Sequence, residues 1–108
     1  AGSALPFREG KLTTFEGGVR VPCIMWWPGK VPAGTVCNEP VMALDLLPSF
    51  VRMVGGEAPT LKTDGKDILP LITGEKDAVS PHEALFFYAG SELQAVRSGK
   101  WKPSCVPP

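Results

Sequence analysis

GKLTTFEGGVRVP, Gly10–Pro22, is the stretch on which the reading of this chain turns. It sets one lysine (Lys11), two hydroxyls (Thr13, Thr14), one carboxylate (Glu16), a glycine pair (Gly17-Gly18) and one arginine (Arg20) at the start of an apolar run, VRVPCIMWW, Val19–Trp27. The polar half predicts a turn-rich segment over 10–18. The apolar half, dense in β-branched and aromatic residues, predicts a buried strand over 19–27 with Cys23 as a small buried hydrophobe. Pro22 lacks a backbone donor, so that strand is expected at an edge, or to begin its regular pairing after the proline. A phosphate-binding loop needs Ser or Thr directly after its lysine and a glycine earlier in the motif; Leu12 and Leu5 occupy those places.

Outward from this stretch the chain alternates punctuation with elements. Pro28, Gly29, Pro32, Gly34 and Pro40 mark a surface connection. Leu46, Leu47, Phe50, Val51 and Val54 then recur at helical spacing, with Asp45 placed as N-cap, Pro48 in the first turn and Gly55-Gly56 as the stop. A second, short helix is predicted after Asp67, through Ile68, Leu69 and Pro70 and closed by Gly74. In the last third, ALFFYAG and ELQAVRSGKW predict antiparallel strands turning at 89–91 and at 98–100. The strand at 19–27 has no parallel neighbour in this sequence, so its partners are expected outside it.

Composition excludes several classes. At 108 residues, with 44% apolar residues, the chain suits one modest globular unit. Its formal net charge is zero, which removes the basic field that nucleic acid or an anionic membrane surface would require. No run approaches the ~18 apolar residues of a spanning helix, and AGSALPFREG lacks the regions of a signal peptide. Cys23, Cys37 and Cys105 have neither CxxC spacing nor a paired framework: at most one disulfide could form, leaving one thiol over, and the plainer reading is three unpaired thiols. His82, the only histidine, has no serine in a nucleophile elbow and reads as a surface loop residue. Asp64, Gly65 and Asp67 do not follow a calcium-loop pattern.

The segment Gly10–Pro22 resembles the second signature of the type I sulfatases, in which a lysine after glycine precedes a Thr-rich stretch, Glu-Gly-Gly and Arg-x-Pro. Further blocks are similar to arylsulfatase C-terminal regions: WWPGKVPAG, MALDLLPSF, GGEAP, TDGKDILPLITG, HEALFFYAG and LQAVRSGKWK, so that the likeness runs from Gly10 to Lys102. It implies an α/β chain, a C-terminal fragment of an alkaline-phosphatase-like sulfatase fold, with one core strand plus helices followed by a small antiparallel sheet. Residues 1–78 would end the core, carrying the lysine motif, strand, helix and short helix. Residues 79–108 would start a small C-terminal antiparallel subdomain, truncated.

The resemblance further implies that Lys11 contacts the sulfate group, as both catalytic and substrate-binding residue, in a parent that hydrolyses aryl or carbohydrate sulfate esters. A fixed ammonium suits that task, because sulfuryl transfer spreads negative charge over equatorial oxygens and onto the leaving oxygen. Glu16 and Arg20 are expected to pair and fix the turn that aims Lys11, with Gly17 and Gly18 supplying backbone angles that a Cβ tolerates poorly. The family's nucleophile, a formylglycine made within Cys/Ser-x-Pro-x-Arg, has no counterpart here: Ile24-Met25 follow Cys23, and Val106-Pro107 follow Cys105. The family's calcium ligands also have no counterpart, so Ca2+ and formylglycine are expected in the full-length parent and no cofactor or metal on this segment, which alone should be inactive. The opening reads as a cut just after the Asp-Asn pair of that calcium site, and the Pro-rich ending as a truncation or reading-frame error.

Partners implied are a sulfated small molecule or glycan, with no nucleic acid and no membrane, and the family suggests a periplasmic, secreted or lysosomal setting. Two alternatives stand beside this reading. One is a fragment of a related phosphoester or phosphonate hydrolase. The other is a non-catalytic binding or structural module offering Trp26, Trp27, Tyr88 and Trp101 to a sulfated glycan or another chain, although aromatics are more often core.

Overall fold

Two antiparallel strands, β1 (Leu85–Ala89) and β2 (Glu92–Arg97), form the sheet of this chain, in a computed structural model that describes residues 2–57 and 60–105. The strands lie within the segments ALFFYAG and ELQAVRSGKW that predicted them. Gly90 opens their two-residue turn at φ 60° with Ser91 at negative φ, and Gly99 at φ 53° does the same between Ser98 and Trp101. Both have the sign pattern of a type II′ turn, which matches the twist of paired strands and demands glycine first. The register passes from Phe87↔Ala95 to Tyr88↔Leu93, which leaves Gln94 as an extra, bulged residue. Beyond the second turn the chain returns along β2, with Val96 N–H donating to Pro103 C=O (3.4 Å) and Cys105 N–H donating to Gln94 C=O (2.7 Å).

The remaining elements are helical: α1 (Glu16–Val19), a 3₁₀ turn (Ala43–Asp45) that runs into α2 (Leu46–Met53), and α3 (Leu69–Ile72). Helices with a small antiparallel sheet make this an α/β fragment. The chain separates into two compact units, residues 1–23 with 84–108, and residues 24–83. Among the described residues, Leu85 and Ala95 are the buried apolar residues of the first unit, Ile68 and Ile72 those of the second.

The run 19–27 departs from expectation. Val19 ends α1, residues 20–27 form no strand, and Val21, Ile24 and Trp26 are 79%, 93% and 85% exposed. Cys23 is exposed as well, not buried. A strand exists only through a ladder, and no neighbour among the described residues offers one to this run.

The helix after Pro40 forms where its spacing placed it, but its buried face differs. Leu47, Phe50 and Val54 are exposed, whereas Asp45 and Ser49, one helical turn apart, are fully buried. Asp45 is helical in backbone and its side chain caps no amide of α2. Its carboxylate instead accepts from Met42 N–H (2.7 Å), Lys66 N–H (2.8 Å) and His82 Nε2 (2.8 Å). That explains why His82 is not a surface residue: its side chain is 4% exposed, because a buried carboxylate needs a buried polar partner. Ser49 completes the network, donating to Asp45 C=O (2.6 Å) and accepting from Ile68 N–H (2.9 Å). Asp67, one residue before the N-cap Ile68 of α3, accepts from Leu69 N–H (2.9 Å) and pairs with Arg52.

Candidate active-site lysine and its support

Lys11 sits in a tight turn. Thr13 donates to Gly10 C=O from both its backbone N–H (3.3 Å) and its hydroxyl (2.8 Å), which closes the four residues Gly10–Thr13 with Lys11 second. Leu12, the third residue, has φ 77°, and Glu9 just before the turn has φ 61°. Left-handed backbone in a non-glycine residue costs on the order of 1–3 kcal/mol, and such residues gather where a chain is held for function. Lys11 is exposed and makes no hydrogen bond or ion pair among the described residues. Its ammonium is therefore uncommitted on a constrained support.

The glycine pair makes the support possible by a route that differs from the expected one. Neither Gly17 nor Gly18 has a positive φ; both lie in α1. What they supply is closeness. A Cβ on Gly17 would lie 2.1 Å from the Glu9 carbonyl oxygen, and one on Gly18 would lie 2.1 Å from that of Thr13 and 2.6 Å from that of Gly10. The loop 8–13 is thus folded back onto α1, with Gly17 N–H donating to Arg8 C=O at 3.0 Å.

Glu16, the first residue of α1, carries the charge network. Arg20 approaches it at 3.7 Å, so the expected pair forms, but two stronger partners come from the end of the chain: Arg97 Nη1 at 3.1 Å and Lys102 Nζ at 2.9 Å. Burial pushes the Glu16 carboxyl up, and the Lys102 hydrogen bond and charge, with the charges of Arg97 and Arg20, outweigh it and hold the group below the usual carboxylate range. Lys102 also lies 4.2 Å from the centre of the Phe87 ring, and Arg20 lies 4.4 Å from that of Phe7. A weaker link, Thr14 hydroxyl to Gln94 Oε1 at 3.5 Å, joins the loop to the bulge of β2.

Sequence reasoning missed Arg97, Lys102 and Gln94. They lie 81, 86 and 80 residues from their partners, and no local pattern announces such pairs. Beside the turn lies an open cleft of about 510 Å³, walled by Leu12, Thr13, Thr14, Gly18 and Val19 on one side and Phe86–Gly90 on the other. Hydroxyls and aromatic or aliphatic surface therefore meet next to the lysine. The described residues include no group of three or more His, Cys, Asp or Glu able to hold a metal ion, and the three cysteines are free and exposed. This donor set does not fit calcium or a formylglycine nucleophile. No helix among the described residues is long and apolar enough to cross a membrane.

Comparison with known proteins gives these features a family. Residues 10–100 match the model of the family described as N-sulphoglucosamine sulphohydrolase, C-terminal. Steryl-sulfatase of Mus musculus is 43% identical over 106 residues, covering 94% of this chain and 17% of that protein. Arylsulfatase D of Homo sapiens is 48% identical over 93 residues (84% and 16%), and arylsulfatase A of Bos taurus 45% over 100 residues (88% and 19%). The chain belongs to the sulfatase family, of which it is a C-terminal portion. These relatives are named as sulfatases, that is, hydrolases of sulfuric esters, and the chain spans less than a fifth of their length.

Proposed function

We propose that this chain is the part of a sulfatase, hydrolysing aryl or carbohydrate sulfate esters, that supplies the sulfate-contacting lysine, Lys11, and a piece of the pocket wall. The observation that carries this reading is an uncommitted ammonium in a turn with one left-handed residue, Leu12, a second, Glu9, just before it, and a crowded glycine pair of α1 packed against it. As the S–O bond to the alcohol breaks, negative charge grows on the leaving oxygen and stays spread over the sulfuryl oxygens. A lysine already in place stabilises that charge without reorganising at the moment of reaction. Formylglycine and calcium are assigned to the rest of the parent. Residues 1–78 end its α/β core, and residues 79–108 begin its small C-terminal subdomain.

The test is Lys11→Ala in the full-length parent. Removing one positioned donor to a developing charge costs on the order of 10²–10³ in kcat. Unchanged turnover at both saturating and limiting sulfate ester would refute the assignment. Parallel assays with phosphate monoesters separate a sulfatase from a phosphoester or phosphonate hydrolase.

Exposure of Tyr88 (58%) and Trp101 (71%) favours a second reading, a non-catalytic module that binds a sulfated glycan through the hairpin. Saturable binding of a sulfated oligosaccharide, lost on Trp101→Ala and kept on Lys11→Ala, would support it over the first.

A further inference from the structure

We propose that Arg97 and Lys102 are positioning residues for Lys11, acting on it through Glu16. This rests on the reading of Lys11 as the sulfate-contacting lysine.

Lys11 has no side-chain partner among the described residues, so its location is set by the backbone of its turn. That turn leans on α1, a helix of four residues, two of them glycine, none of them buried. Apolar packing cannot hold such an element. Polar anchoring must, and its strong point is the Glu16 carboxylate, with Lys102 on Oε1 and Arg97 on Oε2.

Both donors are themselves held. Arg97 ends β2, paired with Leu85, and its Nε–H donates to Gly99 C=O at 3.1 Å. Lys102 lies over Phe87 and immediately precedes Pro103, whose carbonyl accepts from Val96. Their side chains are only 25% and 15% exposed, so water screens these charges less than those of ordinary surface pairs. The hairpin thus serves as the fixed body from which the lysine turn is located. A cation displaced by about 1 Å from its working position can cost on the order of 10²-fold in rate.

The experiment uses the full-length parent, with kcat and KM measured on a sulfate ester for Lys102→Met, Lys102→Arg and Lys11→Ala, and for Lys102→Met combined with Lys11→Ala. Lys102→Met is expected to lower kcat/KM by about 10- to 100-fold, and Lys102→Arg to recover most of it. In the Lys11→Ala background, Lys102→Met should cost almost nothing further, because the residue it positions is gone. An equal cost in both backgrounds would overturn the proposal, since a merely structural contact is lost regardless of Lys11. If Lys11→Ala cripples the enzyme while Lys102→Met leaves it intact, the positioning role alone is wrong. Full activity of Lys11→Ala would overturn both this role and the lysine assignment. Should Lys102→Met not fold, Glu16→Gln, which removes the charge at constant size, carries the same cycle with the same outcomes.

Discussion

Replacing Gly18 by alanine tests the architecture under Lys11 most directly. The new Cβ would lie 2.1 Å from the Thr13 carbonyl oxygen, 2.6 Å from that of Gly10 and 2.7 Å from the Thr13 hydroxyl. Carbon and oxygen essentially never approach within 3.0 Å, so the Thr13 carbonyl must retreat by about 0.9 Å or α1 must move away by as much. The Gly10 carbonyl, also crowded, is the acceptor that closes the lysine turn. Overpacking of this kind costs about 1–3 kcal/mol, which thermal denaturation should register as a lowered melting temperature. The displacement is also of the size at which misplaced catalytic groups lose about 10²-fold, so kcat/KM of the full-length parent on a sulfate ester should fall by roughly that factor. Gly10→Ala is the control within the same motif. Gly10 has no positive φ, and a Cβ added to it would meet no heavy atom within 4 Å, so its substitution should be neutral or stabilise by up to about 1 kcal/mol. Near wild-type turnover of Gly18→Ala with an unchanged melting temperature would refute the account of the glycine pair as a close-packing device.

Three further outcomes follow from the geometry. Asp45→Ala would strand the buried His82 side chain and leave the Met42 and Lys66 amides without their acceptor; we expect a loss of about 3–5 kcal/mol in urea denaturation. Ser49→Ala leaves the buried Ile68 N–H without its acceptor and should cost about 1–3 kcal/mol by the same measurement. Glu16 and Asp67 are both held below their ordinary values of 4.5 and 3.8: burial raises each, and ion pairing, with the Leu69 amide for Asp67, more than compensates. Their stabilising contributions are therefore complete above those ordinary values and are lost as pH falls through the lower folded-state values. Lys102→Met should move the Glu16 part of that acid loss to higher pH in melting curves. An acid profile identical to wild type would show that Lys102 does not stabilise the carboxylate.

What the sequence made legible, and what it did not, divides along a physical line. The hairpin, both of its turns and the positions of α2 and α3 could be read because turn chemistry and periodicity act over a few residues. The turn that carries Lys11 was legible for the same reason, since Gly10 and Thr13, which close it, lie within one short segment. His82 was misread because its partner Asp45 lies 37 residues away and nothing beside it signals burial. The run 19–27 shows a different limit. A dense apolar sequence states that surface is to be covered, but a strand also needs a neighbour to exchange hydrogen bonds with, and that requirement is invisible in the run itself.

The same division bears on how the lysine turn is held. Its chemical type and its turn are local properties, written in Gly10–Pro22, yet the four-residue helix on which the turn leans is half glycine, buries no residue, and cannot hold a position by its own packing. In the positioning role proposed for Arg97 and Lys102, the stiffness comes from β2 and the strand-like return after it, through a carboxylate that gathers three cations. Glu16 in this arrangement does more than mate with Arg20 across the glycines, since its two shorter contacts reach to residues that no reading of the motif would select. A substitution at Arg97 or Lys102 should consequently behave, in kinetics, as a weakened version of a substitution at Lys11. The glycine pair lets the lysine turn lie against α1, and Glu16 at the head of that helix is the point at which Arg97 and Lys102 reach it.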